Sequence, residues 1–147
     1  MPLLRLLDLG TFYLPNAVEQ ESLAPSPHAP PQPVLQAFVR TCQVLPVEAP
    51  REFATALSLA DRCVLELALR CQADLVVADD SALRRAALAL GLRPLGTLGI
   101  LALAAKRRQV TSAAAIGKLH ELVTEHGFRV SAAVYAEFER RLNSPVP

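Results

Sequence analysis

Four carboxylates stand where their chemistry needs an explanation: Glu21, Asp61 and the adjacent pair Asp79 and Asp80. The pair follows directly on the apolar run DLVVA at 74–78. In open parallel α/β sheets ligands bind beyond the carboxyl ends of the strands, so two acids at that point are placed for binding. Mg²⁺ and Mn²⁺ take hard oxygen ligands and keep several waters, so three or four carboxylates on separate elements suffice to hold one ion. Each acid also has a purely structural account. Asp80 can cap a helix that starts at Ser81, with Asp79 simply solvated. Ser58-Leu-Ala-Asp61 matches the S-x-x-[DE] capping box, in which the two polar residues satisfy each other's backbone amides. Glu21, at the end of an exposed helix, reads by itself as a solvated charge. Spacing alone leaves both accounts open.

Other chemistries find less support. Lys106-Arg107-Arg108, helped by Arg84 and Arg85, offers positive charge to RNA phosphates or a favourable end to a helix dipole. Gly96-Thr97-Leu98-Gly99 has the GxxG form of a KH backbone clamp, but Thr97 as an N-cap between glycines that permit close packing is the simpler account. His28, His120 and His126 lack an HExxH or cysteine pattern, which argues against zinc, and the missing GxSxG elbow argues against a serine hydrolase. The three cysteines form no CxxC pair and fit a reducing compartment as buried thiols. On one helix Cys63 and Cys71 would stand about 12 Å apart, too far for a disulfide.

The elements that must position the acids are read from periodicity. Residues 3–9 look like a short amphipathic helix and 11–14 like a strand, after which Pro15 opens a helix over 16–21. Five prolines between 25 and 33 form a stiff surface excursion. A helix over 34–40, a strand over 42–47 and a helix over 51–57 follow. The pattern then sharpens: a helix over 58–71 buries Val64, Leu65, Leu67, Ala68 and Cys71, a strand spans 74–78, a helix 81–90, and a strand 92–95 after the stop at Gly91. Strand, ten-residue helix and strand predict a parallel βαβ unit. Helices over 98–106, 112–125 and 131–142 complete the chain, with Ser112 and Ser131 as natural N-caps.

Composition bounds the class. The chain has 147 residues, 52% hydrophobic and 20% charged, with a net charge of +1. Leu and Ala fill 50 positions, enough for one compact, mainly helical core. No apolar run reaches the ~18 to 20 residues of a membrane span, and the N-terminus lacks the pattern of a secretory signal, so a cytoplasmic location is expected. A near-neutral chain does not hold duplex nucleic acid by charge alone, so any RNA contact must be local.

The order of the acids resembles a known family. LLRLLDLGTFYLPNAVEQE resembles the early part of PIN domains of the VapC toxin type, in which a strand leads into a P-x-x-V-x-x-E helix, here Pro15, Val18 and Glu21. LADRCVLELALRCQADLVVADDSALRRAALALGLRPLGTLGIL is similar to the second half of a prokaryotic PIN-like subgroup with a DD pair after the strand and a GTLG-[IV]-L helix, and FRVS at 128–131 resembles its tail. The likeness runs from about Leu3 through Arg129. It implies a single α/β domain over 1–147, a PIN-like three-layer fold with a short parallel sheet flanked by helices and a helical C-terminal third. It also implies a metal-dependent endoribonuclease ancestry: Glu21, Asp61 and Asp80 as the catalytic acids, with Asp79 beside them as a further ligand to Mg²⁺ or Mn²⁺. The family pattern opens with an apolar strand ending in an acid and followed by a helix, whereas this chain starts within what would be that helix, and Asp8 lies after it. A sheet position left open in this way exposes N–H and C=O groups that invite pairing, which dimerisation or the proline-rich segment would cover. RNA, an antitoxin protein and a second copy of the chain are the partners the likeness implies. The competing expectation is a non-catalytic PIN-like module that binds RNA or a protein partner.

Overall fold

The computed structural model describes residues 10–25, 33–54 and 56–144. The elements run β1 (Tyr13–Pro15), α1 (Asn16–Leu23), α2 (Pro33–Val39), β2 (Gln43–Leu45), α3 (Leu59–Arg70), β3 (Val76–Val77), α4 (Ser81–Ala89), β4 (Pro94–Leu95), α5 (Thr97–Lys106), α6 (Ser112–Glu125) and α7 (Ala132–Asn143). The fold class is α/β, as the likeness implies. β1 pairs with β2 in parallel, Tyr13 opposite Gln43 and Pro15 opposite Leu45. β3 pairs with β4 in parallel, Val76 opposite Pro94 and Val77 opposite Leu95, so the expected βαβ unit is present with α4 as its crossover. Among the described residues the four strands make two separate two-stranded sheets. No described helix is long and apolar enough to cross a membrane. The chain divides into two compact units, residues 1–96 and 97–147.

The first unit is organised by α3. Ser58 caps it, accepting the Asp61 N–H at 3.1 Å, and its inner face buries Ala60, Cys63, Leu65, Leu67 and Ala68. Leu65 and Ala68 pack with Val76 and Ala78 from around β3 and with Leu83, Ala86 and Ala87 from α4. Cys63 and Leu67 pack instead with Val47 beyond β2. Val64 and Cys71, expected in the core, are half-buried because they line a cavity beside β1 and β3. α4 stops as expected: Gly91 takes a φ of +76°, a conformation that L side chains resist, and Leu92 N–H returns to Ala87 C=O at 2.9 Å.

Several boundaries differ from expectation. Among the described residues of 51–57 no helix forms. The Arg51 backbone N–H and guanidinium turn to Glu66 of α3, at 3.3 Å and 2.8 Å, while Glu52 takes Arg62 at 2.6 Å, so tertiary bonds replace a local ladder. α6 is capped by Thr111, whose Oγ1 accepts Ala114 N–H at 3.0 Å, and Ser112 is its first helical residue. Thr97 likewise lies inside α5 rather than before it. Ser131 caps α7 as expected. All strands are shorter than their apolar runs. The helix expected over 3–9 and most of the proline-rich stretch lie outside the described residues, though Pro33 opens α2. Cys42, Cys63 and Cys71 are free thiols, of which Cys63 alone is buried.

Among the described residues of the second unit the regular elements are all helices, matching the expected C-terminal third. Ile100, Leu101 and Ala104 of α5 are buried, as are Ala115 and Leu119 of α6 and Phe138 of α7. The three helices pack against one another pairwise.

Candidate active site

β3 delivers Asp79 and Asp80 to its carboxyl end. Asp80 has extended backbone, φ −61° and ψ 128°, and its Oδ1 accepts Leu83 N–H at 2.9 Å. The capping role is therefore realised. A carboxylate carries two oxygens, so capping through Oδ1 leaves Oδ2 available as a ligand. Asp79 is exposed, yet its carboxylate is not adrift. A Cβ built on Gly96 would lie 2.8 Å from Asp79 Oδ1, 2.6 Å from Arg84 Nη1 and 3.4 Å from Ala78 O. Arg84 Nη1 donates to Ala78 C=O at 3.0 Å. The ends of β3 and β4 thus meet a guanidinium and a carboxylate at one glycine. Arg84 Nη1 is engaged at this junction. Sequence reasoning misses the Gly96 contact; its signal is a residue without a side chain immediately after β4.

Asp61 sits in the first turn of α3, half-buried. Its N–H reaches Ser58 Oγ, while its carboxylate enters no ion pair among the described residues. Glu21 is exposed in the last turn of α1, also without an ion pair among the described residues. α1 packs against α3, so the helices that carry Glu21 and Asp61 adjoin. Four other acids are held by cations: Glu52 by Arg62, Glu66 by Arg51, Glu121 by Lys118, and Glu137 by Arg140 and Arg141.

The expected acids are not already drawn into a tight cage. Among the described residues, one group of three or more His, Cys, Asp or Glu side chains has its ligand atoms within 4.8 Å of one another: Glu121, Glu125 and His126 at the end of α6. Lys118 donates to Glu121 at 2.8 Å and, with His126, holds that carboxyl below its usual range. Glu21, Asp61, Asp79 and Asp80 do not form such a group. Chemically they supply hard oxygen donors from α1, α3 and the end of β3, the kind of set that suits a divalent cation retaining part of its water shell.

No curated protein and no solved structure matches the chain. A family model described as PIN domain matches residues 2–144. That span takes in the strand leading to Glu21, the helix of Asp61 and the βαβ unit with its acid pair, and the chain therefore belongs to the PIN domain family.

Proposed function

We propose that this PIN domain is a metal-dependent endoribonuclease of the VapC toxin class, of the subgroup with the DD pair and the GTLG-[IV]-L helix, hydrolysing RNA phosphodiester bonds. The observation that carries this reading is the family match across Glu21, Asp61, Asp79 and Asp80, joined to the finding that Glu21, Asp61 and Asp80 are not tied up by cationic side chains among the described residues. PIN domains generally use divalent metal ions, and the donor chemistry of these residues fits Mg²⁺ or Mn²⁺. When bound, such an ion supplies an acidified water and charge stabilisation at phosphorus. Glu21, Asp61 and Asp80 hold it by carboxylate oxygens. Asp80 does so through the oxygen left by the α4 cap, and the cap fixes its backbone against the end of β3. Asp79 stands beside it at the Gly96 junction. The chain works in the cytoplasm as one domain and pairs with a second copy and with an antitoxin.

The test is cleavage of RNA with added Mg²⁺ or Mn²⁺, with metal binding followed in parallel by calorimetry. Asp80→Asn is the informative variant, because asparagine caps a helix as well as aspartate does while removing the charge. Cation-dependent cleavage, lost in Asp80→Asn and Glu21→Gln while folding and melting are retained, is expected. Cleavage that survives chelation or these substitutions refutes the assignment. A second reading, a non-catalytic PIN-like module that binds RNA or a protein, is favoured by the absence of a preformed cluster at these four acids. Unchanged RNA affinity with neither cleavage nor metal binding would select it.

A further inference from the structure

The guanidinium of Arg84 has more hydrogen-bonding capacity than its structural task requires. Its Nη1 donates to Ala78 C=O at 3.0 Å, between the end of β3 and the acid pair. That task takes one donor, whereas a guanidinium carries five N–H groups in a fixed plane. Nε and Nη2 make up the other fork of the group, and neither has a hydrogen-bond partner among the described residues. Both are open to solvent. Arg84 is half-buried as a residue, and among the described residues the one side-chain nitrogen that is buried without a partner is Arg62 Nε. Arg84 enters no ion pair among the described residues either, although its Nη1 and Asp79 Oδ1 approach the same point beside Gly96. A cation with one unused fork is therefore held at the carboxyl end of β3. Its backbone is tied to the acids as well: Arg84 N–H bonds Asp80 C=O at 3.0 Å, and Leu83 N–H bonds the Asp80 carboxylate at 2.9 Å. Anchored at its backbone and at Nη1, the side chain has already given up rotamer freedom that an unanchored arginine loses on binding.

We propose that the Nε and Nη2 fork of Arg84 binds a phosphate group of the RNA strand at the acid pair. The inference rests on the reading of Asp79 and Asp80 as part of an RNA site, and it names the residue that receives the backbone there. The fork specifies the chemistry. Two parallel N–H groups match the two non-bridging oxygens of a phosphodiester, and charge on both partners strengthens and shortens such bonds. The surroundings give the charge a purpose, because a phosphate approaching two carboxylates is repelled unless fixed positive charge stands beside them. A lysine or a glutamine at position 84 offers Ala78 C=O a donor too, but only arginine bonds that carbonyl and still presents a planar pair of N–H groups. Arg84 thus orients the strand, while the acids are left to the ion.

The probe is a single-stranded oligoribonucleotide of about ten residues, titrated into the full chain with Ca²⁺ in place of Mg²⁺ or Mn²⁺, so that binding is read apart from cleavage. In the parent chain, which needs no variant to fold, the Arg84 Nε–H resonance should shift and exchange more slowly with solvent as RNA binds. Arg84→Met should weaken binding about tenfold, the loss expected for charged hydrogen bonds. It should also reduce the slope of log affinity against log salt by about 0.7, the share of one phosphate on a single strand. Arg84→Lys keeps the charge without the fork, so it should keep the slope and bind with intermediate affinity. A purely structural role lowers the melting temperature and leaves the slope alone. Saturating RNA that does not move the Nε–H resonance overturns the proposal, as does an unchanged slope in folded Arg84→Met. Absence of RNA binding at about 1 mM overturns it too. Displacement of the RNA by an equal concentration of a glutamate peptide assigns the fork to a carboxylate partner and has the same consequence. Cleavage with Mn²⁺ is scored separately. A chain that cleaves RNA with no response at Arg84 refutes this inference alone, and one that binds RNA through Arg84 without cleaving refutes the nuclease assignment alone.

Discussion

Replacing Gly96 by alanine tests the junction at the end of β3 most sharply. The backbone at Gly96 does not require glycine, since its φ lies outside the left-handed region. The space around it is occupied by the ends of two side chains. The new methyl would stand 2.6 Å from Arg84 Nη1 and 2.8 Å from Asp79 Oδ1, closer than real Cβ contacts, so both side chains must move. Moving Arg84 breaks its 3.0 Å bond to Ala78 C=O, a hydrogen bond from a charged donor worth about 1.5–3 kcal/mol. Alanine returns about 0.4–1 kcal/mol by restricting the unfolded chain. The net expectation is a loss of about 1–2 kcal/mol, which for a chain of this size lowers Tm by roughly 3–8 °C in a calorimetric scan. The control is Arg84→Met, in which the methyl no longer displaces a guanidinium. In that background Gly96→Ala should lose most of its effect, and the double-mutant cycle should show coupling of about 1 kcal/mol or more. Equal losses in both backgrounds, or a Gly96→Ala chain as stable as the parent, would refute the steric argument.

Gly117 provides the opposite sign: it lies within α6 with nothing inside 4 Å of where its Cβ would stand, so Gly117→Ala should stabilise by about 0.5–1 kcal/mol and raise Tm, as chemical denaturation would show. Asp80→Ala should destabilise by about 1 kcal/mol through loss of the α4 cap, whereas Asp80→Asn should leave the urea midpoint nearly unchanged. The carboxyl of Glu137, bonded by Arg140 and Arg141, is pulled down to about 2. Its folded pKa lies below the unfolded value, so the stabilisation from this fork is present above about pH 4.5 and disappears as pH falls through about 2. A carboxyl titration by NMR should find that midpoint, and Arg140→Ala should raise it.

Much of the architecture is legible because it is local. The helix of Asp61 announces itself by a Ser58 cap and apolar residues at helical spacing, and α4 by Asp80 in front and Gly91 behind. The strands are placed but overextended, since a run such as DLVVA marks where the chain is apolar, while the ladder forms only where β4 offers a partner. The segment 51–57 misleads for a complementary reason: its composition allows a helix, and the bonds that prevent one come from Glu66 and Arg62, fifteen and ten residues further on. The same limit governs the site. Asp79 and Asp80 stand out by their place after a strand, but nothing in the local sequence distinguishes the neighbour that caps from the one that meets Arg84 over Gly96. Likewise the half-buried state of Val64 and Cys71 follows from the groove beside them, which helical periodicity does not reveal.

The irregular stretch from Pro46 to Glu52 also bears on how the molecule comes apart. It is fastened to one stripe of α3 at positions four residues apart: Arg62 takes Glu52, Glu66 takes Arg51, and Arg70 Nη1 donates to Pro46 C=O. Val47 seats the first half of this strap by packing on Cys63 and Leu67, whereas the Arg51–Glu52 end rests on exposed charge pairs, which ionic strength weakens while leaving apolar burial intact. Added salt should therefore loosen the Arg51–Glu52 end of the strap while Val47 keeps its place on α3, and trypsin would then find its earliest nick after Arg51.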